Sequence, residues 1–149
     1  MTAEQMWAEF AARNGLEGAE WDAWAFGGDA DGLARLVLAD KKTATSSAYP
    51  LYELEGEPLP EAGEYSVILN SRAEAVCVIR TERVSTVPFR DVGGEHARRE
   101  GEGDRTLACW RRVHEAFFTD ELARAGSAFT PDMPVVCEEF RRVWPETGK

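Results

Sequence analysis

Lysine is scarce in this chain: Lys41, Lys42 and Lys149 stand against fourteen arginines. Histidine is scarcer still, with only His96 and His114, which argues against a histidine-rich metal site and leads us to expect no metal and no cofactor. The cysteines are Cys77, Cys109 and Cys137, odd in number, widely spaced and without a CxxC pair, so they read as reduced core thiols of a cytoplasmic protein. No run of roughly eighteen apolar residues exists, so no membrane span is expected. The opening Met1-Thr2-Ala3-Glu4 is polar and has none of the basic-then-apolar character of a signal peptide. Low-complexity tracts, internal repeats and composition breaks are also missing, and 149 residues fit one domain spanning 1–149.

Positive charge is what the first half lacks. Residues 1–70 carry a net −9 and residues 71–149 a net −1, within a total of −10. Binding of long nucleic acid rests on several neutralised phosphates, and a chain this acidic is poorly suited to it. A nucleic-acid ligand would have to be short, or be met locally by the arginine-rich half, where Arg72, Arg80, Arg83, Arg98, Arg99, Arg105, Arg111 and Arg112 could share one face.

What is present is a clear order of elements. Thr2-Ala3-Glu4-Gln5 has the form of a capping box, and Met6, Trp7, Phe10 and Ala11 follow at helical spacing, so a helix is expected over about 2–14. Trp21, Trp24 and Phe26 lead into Gly27-Gly28; they either pack in a core or form a wall on which a base stacks. Asp29 or Asp31 caps a second helix running to about Asp40. Thr43–Ala48 is β-prone, Tyr49–Leu54 suits a short helix, and Pro58–Glu64 is a turn. Tyr65–Leu69, Ala75–Thr81 and Val84–Val87 read as consecutive short strands of a curled sheet or small barrel. Helical turns over Glu95–Glu100 precede a long helix with Asp104 as its expected cap, on which His114 reads as a hydrogen-bonded core residue. A last strand over Val135–Trp144 turns from apolar to charged, as at a sheet edge.

The stretch Leu38–Ser47 gathers the chemistry. Lys41 and Lys42 stand side by side at a helix end, followed by Thr43, Thr45, Ser46 and Ser47. Such lysines can simply oppose the helix dipole. An ammonium beside hydroxyls can also hold an anion, and a desolvated amine can deprotonate a hydroxyl.

The hexapeptide Asp40-Lys41-Lys42-Thr43-Ala44-Thr45 resembles the G-x-K-x-x-T signature of the ASCH domain family, with Asp40 where that family carries glycine. Trp24–Gly27 and Leu33–Leu38 are similar to the lead-in of its longer members. Glu100-Gly101-Glu102-Gly103-Asp104, followed by Trp110, His114, Phe117 and Phe118, is similar to their E-G-x-G-D…W…H…F-F block. The resemblance covers about residues 20–144. It implies an α+β, PUA-like open β-barrel of about six strands flanked by helices, with a ligand cleft on one side.

Activities linked to the family are RNA binding, RNA cleavage and hydrolysis of N4-acylated cytidine. The resemblance therefore implies a modified nucleoside or a short RNA as partner. Lys42 and Thr45 match two members of the catalytic set of the family's short amidohydrolases. Glu100, three residues after His96-Ala97, matches the third. In that assignment Thr45 attacks, Lys42 serves as base and Glu100 as acid. Lys41, Ser46, Arg80 and Arg105 are the expected substrate contacts. The alternatives are an RNA-binding protein or ribonuclease, and a non-catalytic regulator that reads a nucleotide-like ligand.

Overall fold

Thr2 opens the first helix. Its hydroxyl accepts the Gln5 amide at 3.1 Å while Gln5 Oε1 accepts the Thr2 amide at 2.8 Å, the expected reciprocal cap. The computed structural model describes residues 1–146. In chain order it contains α1 (Ala3–Asn14), β1 (Asp22–Ala25), α2 (Ala30–Leu38), β2 (Ala44–Ala48), α3 (Tyr49–Glu55), β3 (Tyr65–Leu69), β4 (Ala75–Pro88), a 3-10 turn over Phe89–Asp91, α4 (Gly94–Glu100), α5 (Leu107–Arg124) and β5 (Pro134–Trp144).

One sheet with strand order β1-β3-β4-β5-β2 carries the fold. β1 runs parallel to β3, and the other pairs are antiparallel. Five strands form the curled half-barrel, where about six were expected. The two segments Ala75–Thr81 and Val84–Val87 are a single 14-residue strand, β4. Its register with β5 shifts between Thr81 and Arg83, and an extra residue there bends and twists the strand. The expected sheet edge at β5 is also corrected. Through Glu139 the strand lies inside the sheet between β4 and β2; from Arg141 onward it pairs with β4 alone.

Side-chain alternation divides the sheet's two faces. Val67 and Val78 pack under Met6, Trp7, Phe10 and Ala11 of α1, while Ile68, Cys77, Ile79 and Phe140 pack with Ala34 and Val37 of α2 and with Phe26. A third apolar cluster joins α5, through Trp110, Phe118 and Leu122, to Phe89, Val135 and Cys137. All three cysteines are buried and unpaired. Burial pushes the Cys77 and Cys137 thiols up to about 12, which makes them inert core groups. No helix among the described residues is long and apolar enough to cross a membrane.

The long helix begins two residues later than expected. Thr106, not Asp104, is the N-cap of α5, its hydroxyl accepting the Cys109 amide at 3.2 Å. Asp104 stands one step back, where its Oδ1 accepts the Thr106 amide at 2.9 Å and the Thr106 hydroxyl at 2.6 Å. Both residue types favour caps, and two cap-formers this close compete for the same role.

Candidate functional site

The end of α2 sets the position of Lys42. The Lys41 amide donates to the Leu36 carbonyl at 2.9 Å and the Asp40 amide to the Val37 carbonyl at 3.0 Å, which is a Schellman end with Asp40 as its left-handed residue. Asp40 has φ +61. Aspartate is among the few non-glycine residues that enter this region readily. Here its carboxylate is also clamped by Arg142, whose Nε and Nη2 donate to Oδ1 and Oδ2 at 3.2 and 2.9 Å. The turn that glycine would make is therefore kept.

Beyond the turn the chain is stitched to α4. The Thr43 amide donates to the Arg99 carbonyl at 2.7 Å, and the Thr43 carbonyl accepts the Phe140 amide at 3.0 Å. Gly101 closes α4 at φ +73, with no room for a Cβ against the Lys41 carbonyl, so this glycine meets both a conformational and a steric demand.

These joints drive Lys42 inward until its side chain is 1% exposed. Its Nζ donates to Glu100 Oε1 at 3.0 Å, Glu102 Oε2 at 2.9 Å and the Glu100 carbonyl at 3.3 Å, and lies 5.3 Å from the centroid of the Phe26 ring. Three acceptors match the three N–H bonds of an ammonium.

Glu100 is the hub on the other side. Its Oε2 accepts Trp110 Nε1 at 2.7 Å and the Ser46 hydroxyl, and lies 3.1 Å from His96 Nε2 and 3.5 Å from His114 Nε2. Burial pushes the Glu100 carboxyl upward, but the Lys42 charge and the two histidine contacts outweigh it and hold the group well below the usual carboxylate range. For His114 burial favours the neutral ring, yet the contact with Glu100 prevails and raises its affinity for a proton. His114 Nδ1 donates to the Trp110 carbonyl at 2.9 Å, and the two rings stack at 4.4 Å between centroids. His114 is thus a buried, hydrogen-bonded residue, as expected, and also part of the wall of the site.

Two adjoining cavities open from this cluster. The smaller, about 280 Å³, is lined by Lys42, Thr45, Ser46, Glu100, Glu102 and His114, with Phe26 and Phe117. The larger, about 470 Å³, shares Phe26, Gly27, Thr45, Ser46 and Phe117, and extends past Trp24, Tyr52, Leu59 and Glu138. Among the described residues, six carboxylates (Asp22, Glu55, Glu57, Glu64, Glu121 and Glu138) and no Lys, Arg or His border the larger space. Trp24 and Phe26 meet edge to face at 4.9 Å, with Phe26 buried and Trp24 half-buried at the cavity wall. Trp21 instead stacks on Trp7 of α1.

Of the residues expected to act, Lys42, Ser46 and Glu100 are drawn into one hydrogen-bonded cluster, and Thr45 lines both cavities beside it. Lys41 is exposed on the preceding turn. Arg80 donates to Glu82 and borders a different hollow with Phe10, Tyr65 and Arg141. Arg105 is exposed and donates to the Arg98 carbonyl at 3.2 Å. The arginines do not converge: neither cavity has one in its lining, and Arg98 and Arg99 pair with Glu95. The motif blocks contain His96, Glu102 and Trp110 without assigning them a part in the site, and Glu138 lies outside both blocks. His96 was within reach as the i−4 neighbour of Glu100 on one helix face. Glu102, Trp110 and Glu138 required the tertiary arrangement.

Glu100, Glu102 and His114 also form the geometric outline of a cation site, with ligand atoms within 4.8 Å of one another. The Lys42 ammonium already lies between the two carboxylates, so this donor set is suited to that ammonium rather than to a metal.

A curled five-stranded sheet with this helix arrangement and a cleft beside β2 is the PUA-like fold. Residues 22–144 match the ASCH domain family, to which the chain belongs. The structure of the ASCH domain from Lactobacillus crispatus JV V101 is 31% identical, with 94% of this chain and 92% of that one covered at a TM-score of 0.88. Protein EF3133 from Enterococcus faecalis V583 is 36% identical, with 94% and 86% covered at a TM-score of 0.87. The hypothetical protein PH0355, at 13% identity and a TM-score of 0.55, shares the fold. No curated protein matches the sequence.

Proposed function

We propose that this chain hydrolyses the amide of an N4-acylcytidine-like nucleoside. The observation that carries the reading is a fully buried ammonium, Lys42, at the end of a cavity that Thr45 also lines and that adjoins an aromatic-walled cleft. Amide hydrolysis needs a nucleophile, a positive group for the charge that develops on the acyl oxygen, and a proton for the leaving nitrogen. Thr45 supplies the nucleophile. Lys42, whose Nζ donates to two carboxylates and a carbonyl, acts through the field of its charge at the end of the cavity rather than through a hydrogen bond to the acyl oxygen. Glu100, held ionised and saturated with donors, positions Lys42 and Ser46. A flat, uncharged base suits Trp24, Phe26 and Phe117, and a ligand without phosphate suits a cleft bordered by carboxylates.

Single-turnover hydrolysis of N4-acetylcytidine tests this. Thr45→Val and Lys42→Met should each lower the rate by about 10²–10³-fold, the size expected when a nucleophile or a transition-state charge partner is removed. A folded parent that releases no cytidine, yet binds short RNA with an affinity falling steeply in salt, would move the protein to the RNA-binding class.

A further inference from the structure

Strand alternation separates two neighbours that the sequence sets side by side. On β2, Ser46 pairs with Cys137 and turns toward His96, Glu100 and the cluster under α5, whereas Thr45 pairs with Glu138 of β5. Directly opposed residues of an antiparallel pair share a face, with Cβ atoms about 4.5–5.5 Å apart. The carboxylate beside Thr45 is therefore Glu138, which lies outside both motif blocks and is its neighbour by register alone.

Glu138 differs from Glu100 in what remains free. It is 8% exposed and borders the larger cavity. One oxygen, Oε2, accepts the Thr81 hydroxyl at 2.6 Å; the other has no hydrogen-bond partner among the described residues. Around it stand Asp22, which accepts the Ser66 hydroxyl at 2.5 Å, and Glu64, and both also line the cavity. Among the described residues, no Lys, Arg or His borders this space.

We propose that Glu138 is the catalytic acid–base partner of Thr45, a role that rests on the amide-hydrolase reading above. Its free oxygen takes the Thr45 Oγ1 proton as the Oγ1–acyl carbon bond forms, and gives that proton to the leaving nitrogen as the C–N bond breaks. It then takes a proton from water as the water oxygen bonds to the acyl carbon, and returns it to Thr45 Oγ1 as the ester bond breaks. Acid and free enzyme result, and the carboxylate ends as it began. Burial beside two other acids pushes the Glu138 carboxyl upward, toward the range in which one group serves well as both base and acid.

Acyl transfer from N4-acetylcytidine and from p-nitrophenyl acetate, measured in single turnover across a pH series, tests the assignment on variants checked for folding by thermal melting. Glu138→Gln should slow N4-acetylcytidine hydrolysis by about 10²–10⁴-fold with KM unchanged, and should abolish the acidic limb of the pH profile. The loss on p-nitrophenyl acetate should be smaller, because a phenolate departs without a proton. Added formate should restore activity to Glu138→Ala. If Glu138→Gln does not fold, Glu138→Asp takes its place, with the acidic limb retained and the rate reduced.

A Glu138→Gln rate within about threefold of the parent, under ~1 kcal/mol of barrier, overturns the role of Glu138 and leaves the hydrolase reading standing. An equal loss on both substrates with no rescue by formate assigns Glu138 to structure alone. A parent that cleaves neither compound overturns the hydrolase reading and the role of Glu138 with it.

Discussion

Two buried carboxylates on either side of β2 meet opposite fates. Glu100 and Glu138 are both shielded from water, and for both the largest influence is desolvation, which favours the protonated acid. Around Glu100 stand an ammonium, an indole N–H and two imidazoles, and it is held ionised. Around Glu138 stand a threonine hydroxyl and other acids, and its carboxyl is pushed upward. Burial thus sets the cost of charge, and the neighbouring groups decide whether the cost is met. The same small region holds one carboxylate suited to fixing a cation and another suited to passing a proton.

Removing the cation should break this contrast most sharply. Lys42→Met leaves Glu100 ionised without its main partner, and loss of one member of a buried pair costs about 3–5 kcal/mol. Urea unfolding at neutral pH measures it; a change below about 1 kcal/mol would mean that the donors around Oε2 hold the charge unaided. A smaller effect sharpens the Glu100 side. Thr106→Ala removes the cap of the helix that brings Trp110 and His114 to Glu100, and should cost about 1 kcal/mol. Asp104→Ala, which removes only the support of that cap, should cost less by the same denaturation measurement.

The smallest effect should have the opposite sign. Glu138→Gln at neutral pH should leave stability unchanged or raise it by up to about 1 kcal/mol, since a neutral amide replaces a charge that burial disfavours. The pH dependence follows from the two shifts. Glu100, depressed in the fold, contributes stability above its unfolded value near 4.5, and this is lost as pH falls through its folded value. Glu138, raised in the fold, favours the folded state while protonated; that contribution is lost as pH rises from near 4.5 through its folded value. The gain from Glu138→Gln should therefore vanish on acidification, and a gain that persists at low pH would place its origin outside titration.

Much of the Glu100 side was legible in the sequence, and little of the Glu138 side was. Cap residues and helical spacing located α1, α2 and α5 because those signals are local. The two motif blocks put Lys42 with Glu100, and 3.0 Å separates them across 58 positions of chain. Register is not local. Nothing near Glu138 says that it faces Thr45, and the run Glu138–Arg142 reads as an exposed edge until β2 is laid beside it. Arg80 and Arg105 were chosen for their charge, yet in the fold each finds a nearby acceptor outside the cavities. The bulge that joins two expected strands into β4 similarly depends on pairing with β5.

The clamp of Arg142 on Asp40 gives the site an order of assembly. The left-handed turn that sends Lys42 inward is fastened by a side chain 102 positions further along, and contacts so distant in sequence form late because a long loop must close first. On a ribosome, Lys42 would have emerged long before its fastening residue. Its burial, and the pairing with Glu100 that depends on it, would then be completed only as β5, whose Phe140 also packs against α2, joins the sheet.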